Sequence, residues 1–225
     1  MSAIDATRAE SADEKETQRL EAFSDGVFAI AITLLVLEFK VPRDAAARLG
    51  RALLADWPSY LGFLTSFATI GIMWINHHRI FGLVQRVDHM LLILNGLLLL
   101  GVTFTPYPTA VLASYLGHPG EKVAAAFYSG TFVCIAIAFN LLWRYMSSKR
   151  ARLMRVAHDH PEVVATHAQY RFGPLFYVVA FAVAFWNATA SLALNLAFAA
   201  FFAFPPQRAA WRGPAAARST RGAIE

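Results

Sequence analysis

Seven polar side chains lie in or beside long apolar runs: Arg19, Ser24, Asp25, Asn76, His77, His78 and Arg79. Their types suit charge-assisted hydrogen bonding, with Asp25 accepting and Arg, Ser, Asn and His donating. They do not assemble a nucleophile, a base and an oxyanion site. No Gly-rich phosphate loop, Walker sequence, G-x-S-x-G or H-E-x-x-H occurs in the chain. His77 and His78 are adjacent, so on a helix they point about 100° apart, whereas paired metal ligands favour i, i+3 or i, i+4. His158 and His160 sit in a polar stretch with Asp159 and Glu162 and read as surface histidines. The expectation is a protein that is not an enzyme and holds no metal or cofactor.

The element that must position Ser24 and Asp25 is the stretch 23–39, FSDGVFAIAITLLVLEF, which carries no charge between Asp25 and Glu38. As a helix it rises roughly 25 Å, close to a hydrocarbon core of about 30 Å. It reads as a membrane helix with an acid near one end, and an ionisable group at that depth is by default a functional candidate. On a helical wheel Phe23, Ile30, Leu34 and Leu37 share one stripe, flanked by Val27 and Thr33, while Ser24 and Asp25 point elsewhere. The plain reading of that stripe is lipid-facing or packing surface.

Composition agrees with a membrane protein. Hydrophobic residues make up 57% of the 225, charged residues 16%, and mean hydropathy is +0.44. The net charge of +5 raises nucleic acid as a partner, but the basic residues sit in loops and tails between apolar runs, so none is expected. Cys134 stands alone inside an apolar run and reads as a buried inert thiol.

The chain divides into a polar tail at 1–18, a membrane domain at 19–204 and a basic tail at 205–225. Pro42 ends the first span, and 43–56 reads as a short amphipathic segment or a loop. The second span covers 58–81 and the third 89–114, with Pro106 and Pro108 kinking or breaking it. The fourth covers 121–147, followed by a polar connection to 170. The apolar run 172–204 would rise roughly 50 Å as one helix, too long for a single span. It divides near 187–191 into a fifth and a sixth. The fold class is therefore all-α, an integral membrane protein with six spans per subunit.

An even count puts both tails on one side. That side holds fifteen Lys and Arg and the other holds Lys40, Arg43, Arg48, Arg51 and Lys122. The positive-inside rule then places both termini in the cytoplasm of a multi-pass protein of the cell (inner) membrane. Asp25 and the Asn76–His77 pair come to similar depth, so Arg19, Ser24, Asp25, Asn76 and His77 are expected to form one network locking the first span to the second.

Arg19-x-x-x-Phe23-Ser24-Asp25-Gly26-Val27-Phe28-Ala29-Ile30-Ala31-Ile32-Thr33 resembles the first-helix signature of the bacterial branch of the transmembrane protein 175 family of potassium-permeable channels. Trp74-Ile75-Asn76-His77-His78-Arg79-Ile80-Phe81 resembles the end of that family's second helix. The resemblance implies a homotetramer whose first helices line a central pore. It puts Ile30, Leu34 and Leu37 on the axis as stacked apolar constrictions, with Thr33 beside them. The permeant ion would be potassium, with other monovalent cations passing too. The chain has no TVGYG carbonyl filter, so selection would fall to the constriction. Two further classes stand beside this one: a secondary transporter and a non-conducting membrane scaffold or sensor.

Overall fold

Leu-, Ile- and Phe-rich runs bounded by prolines, glycines and side-chain caps produce an all-helical chain. A computed structural model describes residues 3–39 and 48–204. Helix α1 covers Ala3–Leu34 and ends in a 3-10 turn, Leu35–Glu38. A short α2 (Leu49–Ala55) precedes α3 (Trp57–Phe81). Then come α4 (His89–Phe104), α5 (Pro106–Tyr115), α6 (Glu121–Met146), α7 (Pro161–Tyr170), α8 (Gly173–Ala184) and α9 (Ala188–Ala203).

The stretch 1–18, expected as a polar tail, is helical from Ala3 onward and continuous with the membrane part of α1. Nothing between Ala3 and Leu34 is a proline or a glycine except Gly26, so no residue interrupts the ladder. The tail 205–225 and residues 40–47 lie outside the described residues. Within the polar connection, α7 starts at Pro161, where proline costs nothing because a first-turn N–H is unpaired anyway.

The break at Thr105 follows from Pro106 and Pro108, which supply no N–H to the preceding turn. Local hydroxyls compensate. The Thr105 N–H turns to Val102 O, and the Thr105 hydroxyl donates to Gly101 O at 3.2 Å. The Thr109 hydroxyl donates to Thr105 O at 2.8 Å. Stacked α4 and α5 thus form one candidate span, His89–Tyr115.

Among the described residues, four segments are long and apolar enough to cross a membrane: Asp13–Glu38, Trp57–Phe81, His89–Tyr115 and Glu121–Met146. The apolar run after Phe172 breaks at Phe185–Asn187, where Asn187 Oδ1 caps α9 by accepting from Ala190 N at 2.8 Å. The resulting α8 and α9 are 12 and 16 residues, shorter than a full crossing.

The helices pack as a bundle in which α6 contacts α4, α5, α8 and α9, while α3 contacts α1, α5 and α9. Hydroxyls and amides join them where greasy surfaces alone give no hydrophobic drive in lipid. Ser66 Oγ lies 2.8 Å from Thr109 Oγ1 and 3.1 Å from the Tyr128 hydroxyl, tying α3 to α5 and α6. Ser129 and Ser191 share a hydrogen bond of 2.8 Å, and the Asn195 amide donates to Ser129, tying α6 to α9. Cys134 departs from its expected burial: it lies exposed on α6, because its side of that helix is not covered within the subunit.

Candidate functional site: the exposed face of helix α1 and its anchors

Helix α1 has two faces of opposite character. Thr17, Ser24, Phe28, Ala31 and Leu35 are buried against α3 and α4. Phe23, Ile30 and Leu37 stand 64%, 59% and 72% exposed on the other side, mostly uncovered by the other described residues. Ile30 follows Phe28 by two residues, about 200° around the helix, which is why one is bare and the other enclosed. Leu34 is half-buried at the edge of this stripe and Thr33 is exposed beside it. The Thr33 hydroxyl donates to Ile30 O at 2.9 Å. Its proton is thereby committed to the helix, and its oxygen lone pairs face outward.

The buried face is pinned by a hydrogen-bonded relay. Ser24 Oγ donates to Leu20 O at 2.8 Å and accepts from the Asn95 amide at 2.9 Å. Asn95 Oδ1 meets His77 Nε2 at 2.9 Å. All three side chains are buried. His77 is held further by rings: Phe81 stacks on it with centroids 4.1 Å apart, and Phe28 of α1 approaches at 5.3 Å. Helices α1, α3 and α4 therefore meet at one polar point inside apolar packing.

The expected single network does not form. Asn76 belongs to a separate cluster on another side of α3, because adjacent helical residues diverge by about 100°. Its Nδ2 donates to Phe202 O at 2.9 Å, while its Oδ1 accepts from Arg79 Nη2 and from the Tyr170 hydroxyl, each at 2.9 Å. Burial pushes the Tyr170 phenol up to about 12, and the Arg79 cation acts in the opposite direction. Asp25 joins neither cluster. It accepts from Trp74 Nε1 at 2.8 Å, and one helical turn earlier Glu21 pairs with His78 Nδ1 at 2.7 Å. Arg19 is exposed, on the rim of an open groove between α1 and α4 that Glu16, Phe23 and Leu92 also line.

Asn95 and Tyr170 are the residues that sequence reasoning missed. Asn95 had a visible signal, a lone amide within MLLILNGLLLLGV, where an unsatisfied polar group in lipid is costly. Tyr170 had none, since it ends a polar stretch and its partners lie more than ninety positions away.

The N-terminal part of α1 is braced as well. Asp13 pairs with Arg86 at 2.9 Å, and the Thr17 hydroxyl donates to Gln85 O at 3.4 Å. The loop carrying these partners is itself hydrogen-bonded to 153–155, through Gln85 N to Leu153 O and Arg155 N to Leu83 O. No group of three or more His, Cys, Asp or Glu able to hold a metal occurs among the described residues.

Comparison with known proteins identifies relatives over most of this length. The family model described as "Endosomal/lysosomal potassium channel TMEM175" matches residues 19–106. A protein of Chamaesiphon minutus named a potassium channel is 54% identical over 197 residues, 86% of this chain and 97% of that one. A potassium channel of Streptomyces collinus is 45% identical over 191 residues, 84% of this chain and 92% of that one. The human endosomal/lysosomal proton channel TMEM175 is 34% identical over 136 residues, 56% of this chain and 27% of that protein. Among solved structures, the crystal structure of a lysosomal potassium-selective channel TMEM175 homologue from Chamaesiphon minutus aligns with a TM-score of 0.76 at 54% identity, covering 84% of this chain and 97% of that one.

Proposed function

We propose, because this chain belongs to the TMEM175 family, that it is a potassium-permeable cation channel of the bilayer in which four copies surround a pore lined by α1. The observation that carries this reading is the bare apolar face of α1 opposite a face locked by buried hydrogen bonds. Buried hydrogen bonds join other helices of the bundle too; on α1 the anchor gains a consequence, because at a narrow opening a shift of an ångström changes which ions fit.

In this reading Ile30, Leu34 and Leu37 of four subunits form successive apolar rings. Such rings offer no oxygen to replace an ion's hydration shell. Potassium gives up water more readily than sodium, so it crosses with the smaller penalty, and selectivity is modest beside that of carbonyl filters. The Thr33 oxygen sits next to the rings, with lone pairs available to the ion or its water. The same rings close the pore by dewetting. With α8 and α9 counted as spans the subunit has six, and the excess of Lys and Arg on one side supports a reading with both termini in the cytoplasm and the protein in the inner membrane.

The test is potassium flux into liposomes containing the purified protein, with sodium in parallel, for wild type and Leu34→Asn. The expected result is flux favouring potassium, with the preference reduced in the variant. No flux of either ion from an assembled oligomer would turn the reading toward a scaffold or sensor. Obligatory exchange or coupling would turn it toward a transporter.

A further inference from the structure

Arg79 is half-buried in the last turn of α3, and all its hydrogen bonds leave from one nitrogen. Nη2 donates to Asn76 Oδ1 at 2.9 Å, the Tyr170 hydroxyl at 3.0 Å and Gln169 Oε1 at 3.3 Å, all neutral acceptors. Nε is buried with no partner among the described residues. The ion pairs of those residues are His78–Glu21, Arg86–Asp13 and Arg155–Glu14, so no carboxylate reaches Arg79. Among the described residues this guanidinium at the edge of a membrane span meets only neutral groups, the Tyr170 ring at 5.9 Å included, and no anion. Its fork geometry matches phosphate.

Two of the residues that hold Arg79 also line a half-open crevice of about 60 Å³ between α3, α6, α8 and α9. Asn76 and Tyr170, with Thr69 and Asn140, are among its polar lining; Ile72, Met73, Phe139 and Phe202 supply apolar walls. Beside the polar side, the Arg171 guanidinium lies 4.4 Å over the Phe172 ring, a second cation next to Tyr170. An anion-seeking head and a hydrocarbon-lined cleft together describe an amphiphile. We propose that Arg79 and this crevice bind an anionic phospholipid of the adjoining leaflet, with its phosphate on the guanidinium and a few carbons of one acyl chain in the crevice. The surrounding segment 144–171 carries six Lys and Arg, which concentrates such lipids. Free phosphate would satisfy Arg79 but leave the apolar walls uncovered. The inference does not depend on conduction, since Asn76 faces α9 while His77 faces α4 and the α1 anchor.

Native mass spectrometry of the full-length protein tests it, with phosphatidylglycerol or phosphatidylcholine added in detergent. Wild type is expected to retain phosphatidylglycerol in preference to phosphatidylcholine, and excess inorganic phosphate should not displace it. Arg79→Gln should lower that retention about five- to tenfold. Ala136→Phe, which fills the crevice and leaves Arg79 intact, should lower it as well and keeps the test decisive where Arg79→Gln fails to assemble. Equal retention of the two lipids by wild type would overturn the proposal. So would displacement by inorganic phosphate, or unchanged retention in Ala136→Phe.

Discussion

The Asn95 amide donates to the Ser24 hydroxyl at 2.9 Å across 71 positions of sequence. The other end of the same amide reaches His77, so one side chain joins three helices. Replacing Asn95 by Leu leaves the buried His77 Nε2 without its partner, while the Ser24 hydroxyl loses one donor and keeps its bond to Leu20 O. The expected cost is about 1–3 kcal/mol for the orphaned imidazole nitrogen. Thermal melting of the oligomer followed by size-exclusion chromatography should show a clear fall for Asn95→Leu. A melting point equal to wild type would remove the relay from any anchoring role.

Asp25 and Trp74 form a separate tie between α1 and α3. Asp25→Ala and Trp74→Phe each delete the same hydrogen bond, so their effects on stability should not add. A double-mutant cycle is expected to return a coupling of about 1–2 kcal/mol, in the range for a hydrogen bond to a charged group at a partly exposed site. Strict additivity would mean that the bond contributes nothing.

Ile30 is 59% exposed on the stripe assigned to the pore. Ile30→Asn adds a polar group to a ring that is proposed to act by being dry. Bi-ionic reversal potentials should move toward equal permeability for potassium and sodium, while protein yield stays near the wild-type level because the larger part of the side chain is exposed. An unchanged reversal potential here, together with an unchanged one in Leu34→Asn, would remove the constriction from this stripe.

Gly101 lets α4 close on α6. A Cβ at that position would lie 2.7 Å from Ile135 Cγ1, inside any tolerable contact. Ile135 is buried and cannot swing aside freely. Gly101→Ala should therefore lose about 1–3 kcal/mol of stability. Gly96→Ala, on the same helix with nothing within 4 Å, is the control and should melt at or above the wild-type temperature.

Much of the fold was legible because its signals are local. Pro106 and Pro108 announce the α4–α5 break by removing donors, and Asn187 marks the α8–α9 turn by capping. The two faces of α1 follow from a 3.6-residue period alone. The pairing of polar groups was not legible in the same way. Ser24 could have met any donor at its depth, and nothing local selects Asn95 over Asn76. The divergence of neighbouring side chains, which argued against a His77–His78 metal pair, applies equally to Asn76 and His77; it separates the relay from the Arg79 cluster. The helical state of 3–18 was missed because its polar composition suggested a solvated tail. Part of it is instead held by Asp13 and Thr17 against the 85–86 loop.

Helix α1 is one unbroken rod of 32 residues, roughly 48 Å long. Its buried fixing point at Ser24 is not central. About 32 Å of rod extends toward Ala3 and about 15 Å toward Leu34. A rod pivoting there carries its Ala3 end about twice as far as its Leu34 end. Asp13, which grips Arg86, lies about 16 Å from Ser24, close to the roughly 15 Å that separates Ser24 from Leu34, so a tilt about Ser24 displaces Asp13 and Leu34 by nearly equal and opposite amounts. The Asp13–Arg86 pair and Leu34 are thus the two ends of a balanced beam, and a change at one is felt at the other at nearly full amplitude.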